Sequence, residues 1–303
     1  MYTKKAIAKD WRRNWKLYLL MLPVFAFYII FCYKPMYGII IAFKDFQPGL
    51  GIMQSPWIGF ENFIEFFTGN YFTRTLSNTL IISISNLVFG FPAPIILALL
   101  INEVVHKSFA KTVQTITYMP HFVSLVVVCG LIRTFVAEDG IINYIITFFG
   151  GEASNLLQKP EAFVPIYIIS GIWQEIGWGS IIYLAALAGV DQELYEAASI
   201  DGAGRLRQTW SITLPSILPT IITLFILRLG QMMNIGFEKI ILLYSPMTYE
   251  TADVISSYTY RVGLQEFRYG YSTAVGLFNS VINFVLIFIA NTISRKVNDT
   301  SLW

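Results

Sequence analysis

The chain has 303 residues, of which 55% are hydrophobic and only 13% are charged. Soluble domains carry about 25% charged residues, so this composition, with a mean hydropathy of +0.58, excludes an ordinary soluble domain and indicates a membrane protein. The formal net charge of +2 gives no reason to expect a nucleic-acid partner. The cysteines Cys32 and Cys129 both lie in apolar runs, where we expect packed thiols rather than a disulfide or a metal pair.

The N-terminal segment 1–16 carries six cations and precedes the apolar run 17–33. This order of charge and hydrophobicity is also typical of a secretory signal peptide. However, the run contains Pro23, is followed by Lys34-Pro35 and has no small-residue cleavage site. We therefore interpret it as an uncleaved first transmembrane span.

A transmembrane helix needs about 20 mostly apolar residues. Six stretches meet this condition: 17–37, 75–101, 113–137, 163–188, 216–236 and 271–293. Prolines inside three of them (Pro23, Pro92, Pro94, Pro120) predict kinks in a packed bundle, because neighbouring helices can satisfy the freed backbone groups. The sequence therefore predicts an all-α polytopic membrane protein with one six-helix transmembrane domain, 17–293, between terminal segments 1–16 and 294–303.

The distribution of basic residues predicts the orientation of this domain. Segments 1–16, 102–112, 189–215 and 294–303 together carry twelve of the 21 Lys and Arg residues, whereas the longer loops 38–74, 138–162 and 237–270 carry six. Basic residues are enriched on the cytoplasmic side of a membrane. Both termini and the segment 189–215 are therefore expected in the cytoplasm.

The first external loop, 38–70, is rich in aromatic residues and contains FQPGLGIMQSPWIGFENFIEFF. This pattern predicts a short helix over 60–67 that lies at the membrane interface. Anchoring to the membrane and contact with a partner protein are both open interpretations of its Trp and Phe side chains.

The coupling segment, as we name residues 189–215, separates the fourth and fifth apolar stretches and contains YEAASIDGAGRLRQTWSITLP. Good helix formers predict a helix over 193–200, with Asp191 as its N-cap and Gly202 ending it in a left-handed conformation. A second short helix is expected over 204–210, before Pro215 introduces the fifth span. The small residues at the centre of the coupling segment would let the backbone of another protein approach closely.

Seven positions in this segment form a specific pattern: Glu196-Ala197-Ala198, three residues, Gly202, nine residues, Ile212, one residue and Leu214-Pro215. The pattern resembles the EAA motif of ABC importer permeases, in which this loop is the coupling helix that docks in a cleft of the cytosolic ATPase. The resemblance implies that ATPase coupling rests on Glu193, Tyr195, Glu196, Ala197, Ala198, Asp201, Gly202, Ala203, Leu214 and Pro215.

The resemblance extends along most of the chain, through NWKLYLLMLP, YKPMYGIIIAFKDF, SPWIGFENFIEFF, LSNTLIIS and YMPHFVS. These stretches look like permeases that import oligosaccharides with an extracellular binding protein, best the Gram-positive-type subgroup served by a lipoprotein. One departure is Asp191, where many relatives have proline; Asp also caps a helix, so the helix start is preserved.

The resemblance implies a type I ABC importer permease fold in the plasma membrane of a bacterium. It also implies a heterodimer with a second, homologous permease subunit, two cytoplasmic ATPase subunits and a binding lipoprotein. The chain contains no G-x-x-x-x-G-K-[ST] phosphate-binding loop. ATP and Mg would therefore be bound by the partner ATPase subunits, and this chain would be a non-catalytic permease without a cofactor of its own.

Polar side chains inside the apolar stretches are candidates for a substrate path, because polar groups are costly in hydrocarbon and usually functional. Aromatic faces with amides and charges suit an oligosaccharide. The alternative is structural: Glu175 would pair with Arg228, and the amides would join helices. The candidates are Asn86, Trp173, Gln174, Glu175, Trp178, Arg228, Gln231, Asn234, Asn279 and Asn283.

Two arginines bear on the charge of the solute. Arg228 and Arg133 would suit an acidic sugar, although Arg133 lies near the outer end of the third stretch and could instead snorkel to the interface.

The sequence does not indicate an enzyme site. His106 and His121 are 15 residues apart without an HExxH motif, so a zinc protease is not expected. The turn Gly177-Trp178-Gly179-Ser180 is interpreted as a small-residue packing face rather than a serine nucleophile site.

Three alternatives remain at this stage. The first is an ABC importer permease for a non-sugar solute such as a peptide or phosphate, because the EAA pattern is shared among importers. The second is a secondary transporter, which would need internal inverted repeats that we do not find. The third is an intramembrane enzyme, which is disfavoured because no nucleophile–base pair stands out.

Overall fold

A computed structural model of the protein describes residues 4–298, and of residues 4–10, 12 and 296–298 it describes the backbone alone. Within this range every regular secondary-structure element is a helix, and one isolated β-bridge joins Lys44 and Trp57. The predicted all-α class is therefore confirmed.

The α-helices are α1 Lys4–Phe27, α2 Lys34–Met36, α3 Gly51–Gln54, α4 Glu61–Thr68, α5 Asn70–Ser85, α6 Pro92–Asn102, α7 Lys107–Tyr118, α8 Leu125–Val136, α9 Ile141–Phe148, α10 Pro160–Ala188, α11 Gln192–Ile200, α12 Arg205–Gln208, α13 Leu214–Leu229, α14 Phe237–Leu243, α15 Tyr249–Ala252, α16 Ile255–Tyr260 and α17 Tyr269–Asn298. Wider π-helical turns occupy Tyr28–Tyr33, Asn86–Gly90, Thr209–Thr213 and Arg261–Gln265. Short 3₁₀ helices occupy Tyr37–Phe43, Met119–Phe122, Leu156–Gln158 and Pro246–Thr248.

Within the described residues, four helical runs are long and apolar enough to cross a membrane. They coincide with the first, second, fifth and sixth predicted spans and comprise Arg13–Phe43, Asn70–Asn102, Arg205–Leu229 and Tyr269–Arg295. The fourth predicted span is the unbroken helix α10, which does not belong to this group. Its polar centre Trp173-Gln174-Glu175 lowers its hydropathy.

The third predicted span, 113–137, is not one helix. Helix α7 ends at Tyr118, a 3₁₀ turn contains Pro120, and α8 begins after Ser124, whose hydroxyl caps it by accepting from Val127 N at 3.4 Å. Proline removes a backbone donor and clashes with the preceding turn, so this break follows from Pro120. The total of six membrane crossings remains a prediction.

The chain divides into two compact units, Met1–Phe67 with Val262–Leu277 and Thr68–Arg261 with Phe278–Trp303. The predicted division into 1–16, 17–293 and 294–303 follows the membrane rather than this packing, and stays a prediction.

In the first unit, the first helical run extends beyond its predicted end at 37. A π-helical turn over Tyr28–Tyr33 directly precedes Lys34-Pro35, and the run continues through a 3₁₀ helix to Phe43. A wider turn tolerates the clash that proline causes in a regular α-helix. The expectation of a packed thiol is also wrong for Cys32, which is exposed on this run.

The loop that follows is tied together by two buried polar side chains. Lys44 Nζ donates to the carbonyls of Met53 and Ser55, each at 3.1 Å, and Asn62 Nδ2 donates to Ala42 O at 2.9 Å. The predicted helix over 60–67 is confirmed by α4. Its position at a membrane interface stays a prediction.

In the second unit, α10 is the central helix and packs against α6, α7 and α13. Two apolar clusters lie along it. One surrounds Phe163 and Ile240 and includes the buried thiol Cys129, as expected; the other surrounds Tyr183 and Ile217. The second unit is therefore organised around α10, whose centre carries the polar residues Gln174 and Glu175.

A buried ion pair joins α5 to the segment before α16. The fully buried Asp253 accepts from Arg261 Nη2 at 2.6 Å and lies 3.5 Å from Arg74 Nη2, and Ser257 Oγ donates to it at 2.8 Å. A buried carboxylate requires this degree of compensation. The segment is thereby fixed onto α5.

Close packing of α10 onto α7 requires a glycine. A Cβ atom at Gly177 would overlap the backbone of Thr117 and Tyr118. Nearby, the buried Ser180 hydroxyl donates to Gly177 O at 2.6 Å and is not presented as a nucleophile. The interpretation of 177–180 as a packing face is confirmed.

We expect Gly177→Ala to lower the melting temperature of the purified protein by roughly 5 °C, because a Cβ forced against backbone costs about 1–3 kcal/mol. Gly130→Ala is the matched control, since Gly130 is also helical and its Cβ would meet nothing within 4 Å. It should be neutral or stabilising. Equal melting temperatures for the two variants would contradict the proposed contact.

Candidate functional site

A cavity of about 630 Å³ lies in the second unit, between α6, α10, α13, α14 and the π-helical turn Asn86–Gly90. A smaller cavity of about 210 Å³ adjoins it and shares Asn86, Tyr167, Arg228, Gln231 and Gly236 as lining residues. Seven of the ten predicted path residues line this pair of cavities: Asn86, Gln174, Glu175, Trp178, Arg228 and Gln231 in the larger one, and Asn86, Arg228, Gln231 and Asn234 in the smaller one.

The cavity exists because a helix ends early. We expected the fifth span to run to 236, but α13 stops at Leu229 and the chain turns through 230–236 before α14. The stop coincides with Gly230, which contacts Ile287 so closely that a Cβ would overlap it. The side chains of Arg228 and Gln231 at this break therefore face open space instead of a continuing helix.

Two of the predicted path residues support the break instead of lining the cavity. Asn283 Oδ1 accepts from Met233 N at 3.0 Å, and its Nδ2 donates to Asn234 Oδ1 at 3.0 Å. Asn279 Nδ2 donates to the same oxygen at 3.1 Å. Both are buried. For Asn279 and Asn283, the contacts therefore match the structural alternative, in which amide side chains join helices. Trp173 is exposed on α10 and lines neither cavity.

The predicted structural pair between Glu175 and Arg228 is not formed. Glu175 Oε2 instead lies 2.9 Å from His121 Nδ1, and the His121 ring stacks on Trp178 at a centroid distance of 4.5 Å. His121 had been considered only as a metal ligand. Its partnership with Glu175 depends on the break at Pro120, which the sequence placed inside a continuous span.

Lys239 is the functional candidate that the sequence analysis missed. Its side chain is only 8% exposed, its Nζ donates to Tyr167 O at 3.0 Å, and it lines the larger cavity. A Cβ at Gly171 would lie 3.3 Å from this Nζ, so the glycine leaves room for the amine. Lys239 was assigned to an external loop because no apolar stretch contains it. No sequence signal places it in a cavity.

The charges in the cavity are unbalanced. Glu175 lies within ion-pair distance of His121, whereas neither Arg228 nor Lys239 forms an ion pair with a carboxylate in the described part of the chain. Lys239 is buried, whereas Arg228 is exposed, and a buried cation without an ion-paired carboxylate is costly. The arrangement suits an anionic ligand with an apolar face, because carboxylates pair with the cations and Trp178 offers an aromatic surface.

The coupling segment folds as the sequence indicates at its start. Asp191 caps α11 by accepting from Glu193 N at 3.0 Å, and Gly202 ends it with φ +76°. Glu196 is exposed on α11. The exposed apolar side chains of this region are Leu194, Ile200, Leu206 and Trp210. The segment therefore presents both charge and apolar surface.

The second half of the segment differs from the prediction. We expected a separate short helix over 204–210, but α12, the π-helical turn Thr209–Thr213 and α13 form one run from Arg205 to Leu229. The wide turn accommodates Pro215, which lies within the first turn of α13. Arg228 of the cavity therefore lies on the same helical run as the coupling segment.

Three hydrogen bonds fasten α11 and the linker that follows it to this run. Tyr195 OH lies 2.9 Å from Thr213 Oγ1, and Gln208 Nε2 donates to Ser199 Oγ at 2.9 Å and to Ala203 O at 3.0 Å. Tyr195 also packs on the apolar cluster around Ile217. Displacement of α11 would therefore be transmitted to the helix that carries Arg228. Gln208 and Thr213 were not recognised from the sequence.

No group of three His, Cys, Asp or Glu side chains within the described chain could hold a metal ion. The charged side chains that line the cavity are Glu175, Arg228 and Lys239, and with the neighbouring His121 they do not form a nucleophile–base–orienting group arrangement.

Comparison with known proteins identifies the family. Residues 90–299 match the model described as a binding-protein-dependent transport system inner membrane component. The chain is 46% identical to the polygalacturonan/rhamnogalacturonan transport system permease protein YteP of Bacillus subtilis (strain 168), over 95% of this chain and 90% of the relative. It is 47% identical to Protein LplB of the same organism, over 96% and 92% of the two chains.

Solved structures agree. The chain is similar to one from a bacterial ABC transporter involved in the import of the acidic polysaccharide alginate, with 48% identity, a TM-score of 0.90 and coverage of 96% of this chain and 99% of that one. A second, of the alginate transporter in complex with an alginate pentasaccharide-bound periplasmic protein, matches at 47% identity and a TM-score of 0.90, covering 97% and 99%. The chain therefore belongs to the family of binding-protein-dependent transport system inner membrane components, and it is a non-catalytic permease subunit of an ABC importer.

Proposed function

We propose that this permease carries acidic oligosaccharides from an extracellular binding protein into the cytoplasm by alternating access. It would work as a heterodimer with a second, homologous permease above two ATPase subunits, which would bind ATP and Mg. The secondary-transporter alternative is incompatible with membership of a binding-protein-dependent family. A non-sugar solute remains the alternative, and the uptake experiment below separates the two.

The observation that carries the proposal is the pair of unbalanced cations, Arg228 and Lys239, in a cavity that also presents Trp178, Asn86 and Gln174. Carboxylates would compensate the two cations, while amides and aromatic faces suit sugar hydroxyls and C–H surfaces. Two relatives are consistent with this chemistry, since their names refer to polygalacturonan/rhamnogalacturonan and to the acidic polysaccharide alginate. An uncharged oligosaccharide would offer neither cation a carboxylate.

We further propose that the protein lies in the plasma membrane of a bacterium, with both termini and the coupling segment in the cytoplasm. The support is the excess of Lys and Arg in alternate segments of the chain. The six spans, the terminal segments 1–16 and 294–303 and an extracellular lipoprotein partner belong to the same proposal.

Energy would enter through α11. We propose that the ten coupling residues named from the sequence form the contact with an ATPase subunit, with Glu196 and Gly202 central. The support is the exposure of Glu196, Leu194 and Ile200 and the fastening of α11 to the run Arg205–Leu229, which carries Arg228. The ATPase must bind differently to the two permease states, because otherwise its closure would shift no equilibrium.

The role of the two cations in charge selectivity can be tested by removing each of them in turn. Lys239→Gln and Arg228→Gln should each lower uptake of uronate oligosaccharides by about 10-fold, because each removes a charge-assisted hydrogen bond. Uptake of carboxyl-reduced oligosaccharides of the same length should change little. The measurement is uptake of both substrates by proteoliposomes that hold the complete transporter.

Lys159→Gln is the control, since Lys159 is an exposed cation that does not line the cavity. An equal loss of uptake for acidic and neutral substrates would contradict the assignment of these cations to a substrate carboxylate. Uptake of phosphate or peptide, but of neither oligosaccharide, by the unaltered transporter would favour the non-sugar alternative.

The coupling of ATP hydrolysis to transport can be tested by substituting Glu196 and Gly202. Glu196→Lys should abolish uptake and uncouple ATPase stimulation while the complex still assembles, because it reverses a charge at the proposed contact. Gly202→Ala should reduce uptake several-fold, since an L-residue in the left-handed region costs roughly 1–2 kcal/mol. Uptake and ATPase activity are measured on the same reconstituted preparation.

Gly204→Ala is the matched control for the glycine. Gly204 lies two residues away and is equally uncrowded, but its φ is −70°, which alanine adopts freely. Normal transport by Glu196→Lys, or an equal loss for the two glycine variants, would refute the proposed role of the segment.

A further inference from the structure

A separate pocket of about 250 Å³ lies between α8, the 3₁₀ helix Leu156–Gln158 and the end of α14. Its polar lining residues are Arg133, Asn155, Gln158, Tyr244 and Ser245, none of which lines the large cavity. The pocket therefore is a second polar site in the same unit.

The side chain of Arg133 is exposed, and one nitrogen of its guanidinium is hydrogen-bonded at this pocket. Its Nε donates to Leu242 O at 2.7 Å, at the C-terminal end of α14. The two Nη groups form no hydrogen bond within the described chain, although each carries donors. A planar guanidinium that is fixed through Nε presents these groups as a fork suited to a carboxylate.

The charge of the pocket also favours an anion. Arg133 is the one charged residue among those that line it, and Asn155 and Gln158 contribute neutral amides. Burial raises the pKa of Tyr244 to about 12, so its phenol stays protonated and adds no negative charge. Carboxylate binding would therefore meet an uncompensated positive charge.

Arg133 is hydrogen-bonded to the helix that carries Lys239, a cation of the large cavity. Leu242, whose carbonyl holds Arg133, follows Lys239 by three residues on α14. Three residues advance an α-helix by about 4.5 Å, which is close to one turn. Arg133 is thus bound about one turn of α14 beyond Lys239.

We propose that Arg133 forms a second carboxylate subsite, which binds another uronate unit of the same oligosaccharide whose first carboxylate lies at Lys239 and Arg228. This inference rests on the proposed function, since it requires an acidic oligosaccharide. A purely structural role, in which Arg133 only caps α14, would affect stability but would not distinguish substrates by their number of carboxylates.

The test compares oligosaccharides of equal length with several uronate units, with a single uronate unit and with none. Arg133→Gln should raise the concentration for half-maximal uptake of the multiply charged substrate roughly 3- to 10-fold. It should leave the singly charged and neutral substrates unchanged. Arg133→Lys should restore only part of the loss, because lysine keeps the charge but not the fork. The complete reconstituted transporter is used, with Lys159→Gln as the control for loss of a nearby exposed cation.

The outcomes separate this inference from the proposed function. If the unaltered transporter does not prefer uronate oligosaccharides, the proposed function fails. If it does prefer them and Arg133→Gln keeps the same preference, only the second subsite is wrong. A loss that is equal for all three substrates, with weaker capture of the binding protein, would mean that Arg133 contacts an acidic side chain of that protein and would overturn the subsite.

Discussion

The break in the backbone after Leu229 is the constraint on which the second unit depends. Irregular backbone inside a membrane is tolerated only where protein groups satisfy its donors and acceptors. Asn283 accepts from Met233 N, Ser83 Oγ donates to Met232 O, and Ser256 Oγ donates to Ile235 O. Side chains from three helices therefore replace the missing helical hydrogen bonds, and the space released by the early stop becomes the cavity.

The same constraint explains the distribution of charge. Arg228 lies in the last turn of α13 and Gln231 directly follows the break, and both side chains line the cavity. The break lets them face open space and turns α14 so that Lys239 enters the cavity wall. The two cations that form no ion pair with a carboxylate are therefore the same two that would bind an acidic substrate.

The continuous run from Arg205 to Leu229 supplies the connection between the coupling segment and the cavity. A 25-residue helix is about 37 Å long, and the π-helical turn at Thr209–Thr213 lets it pass Pro215 without a break. Tyr195 and Gln208 fasten α11 to its beginning, while Arg228 lies at its other end. A displacement of α11 would therefore reach the cavity through one helix instead of through a flexible loop.

The sequence by itself determined what depends on local chemistry. Its composition gave the membrane class, Asp191 and Gly202 gave the ends of α11, and the EAA pattern gave the family, because capping, left-handed backbone and motif spacing are properties of neighbouring residues. Seven of the ten residues that the sequence singled out within apolar stretches also line the two cavities. Only the tertiary structure decided that α13 ends at Leu229, that Glu175 meets His121 and that Lys239 enters the cavity. Each of these depends on contacts between residues distant in sequence, which a local pattern of hydrophobicity does not encode.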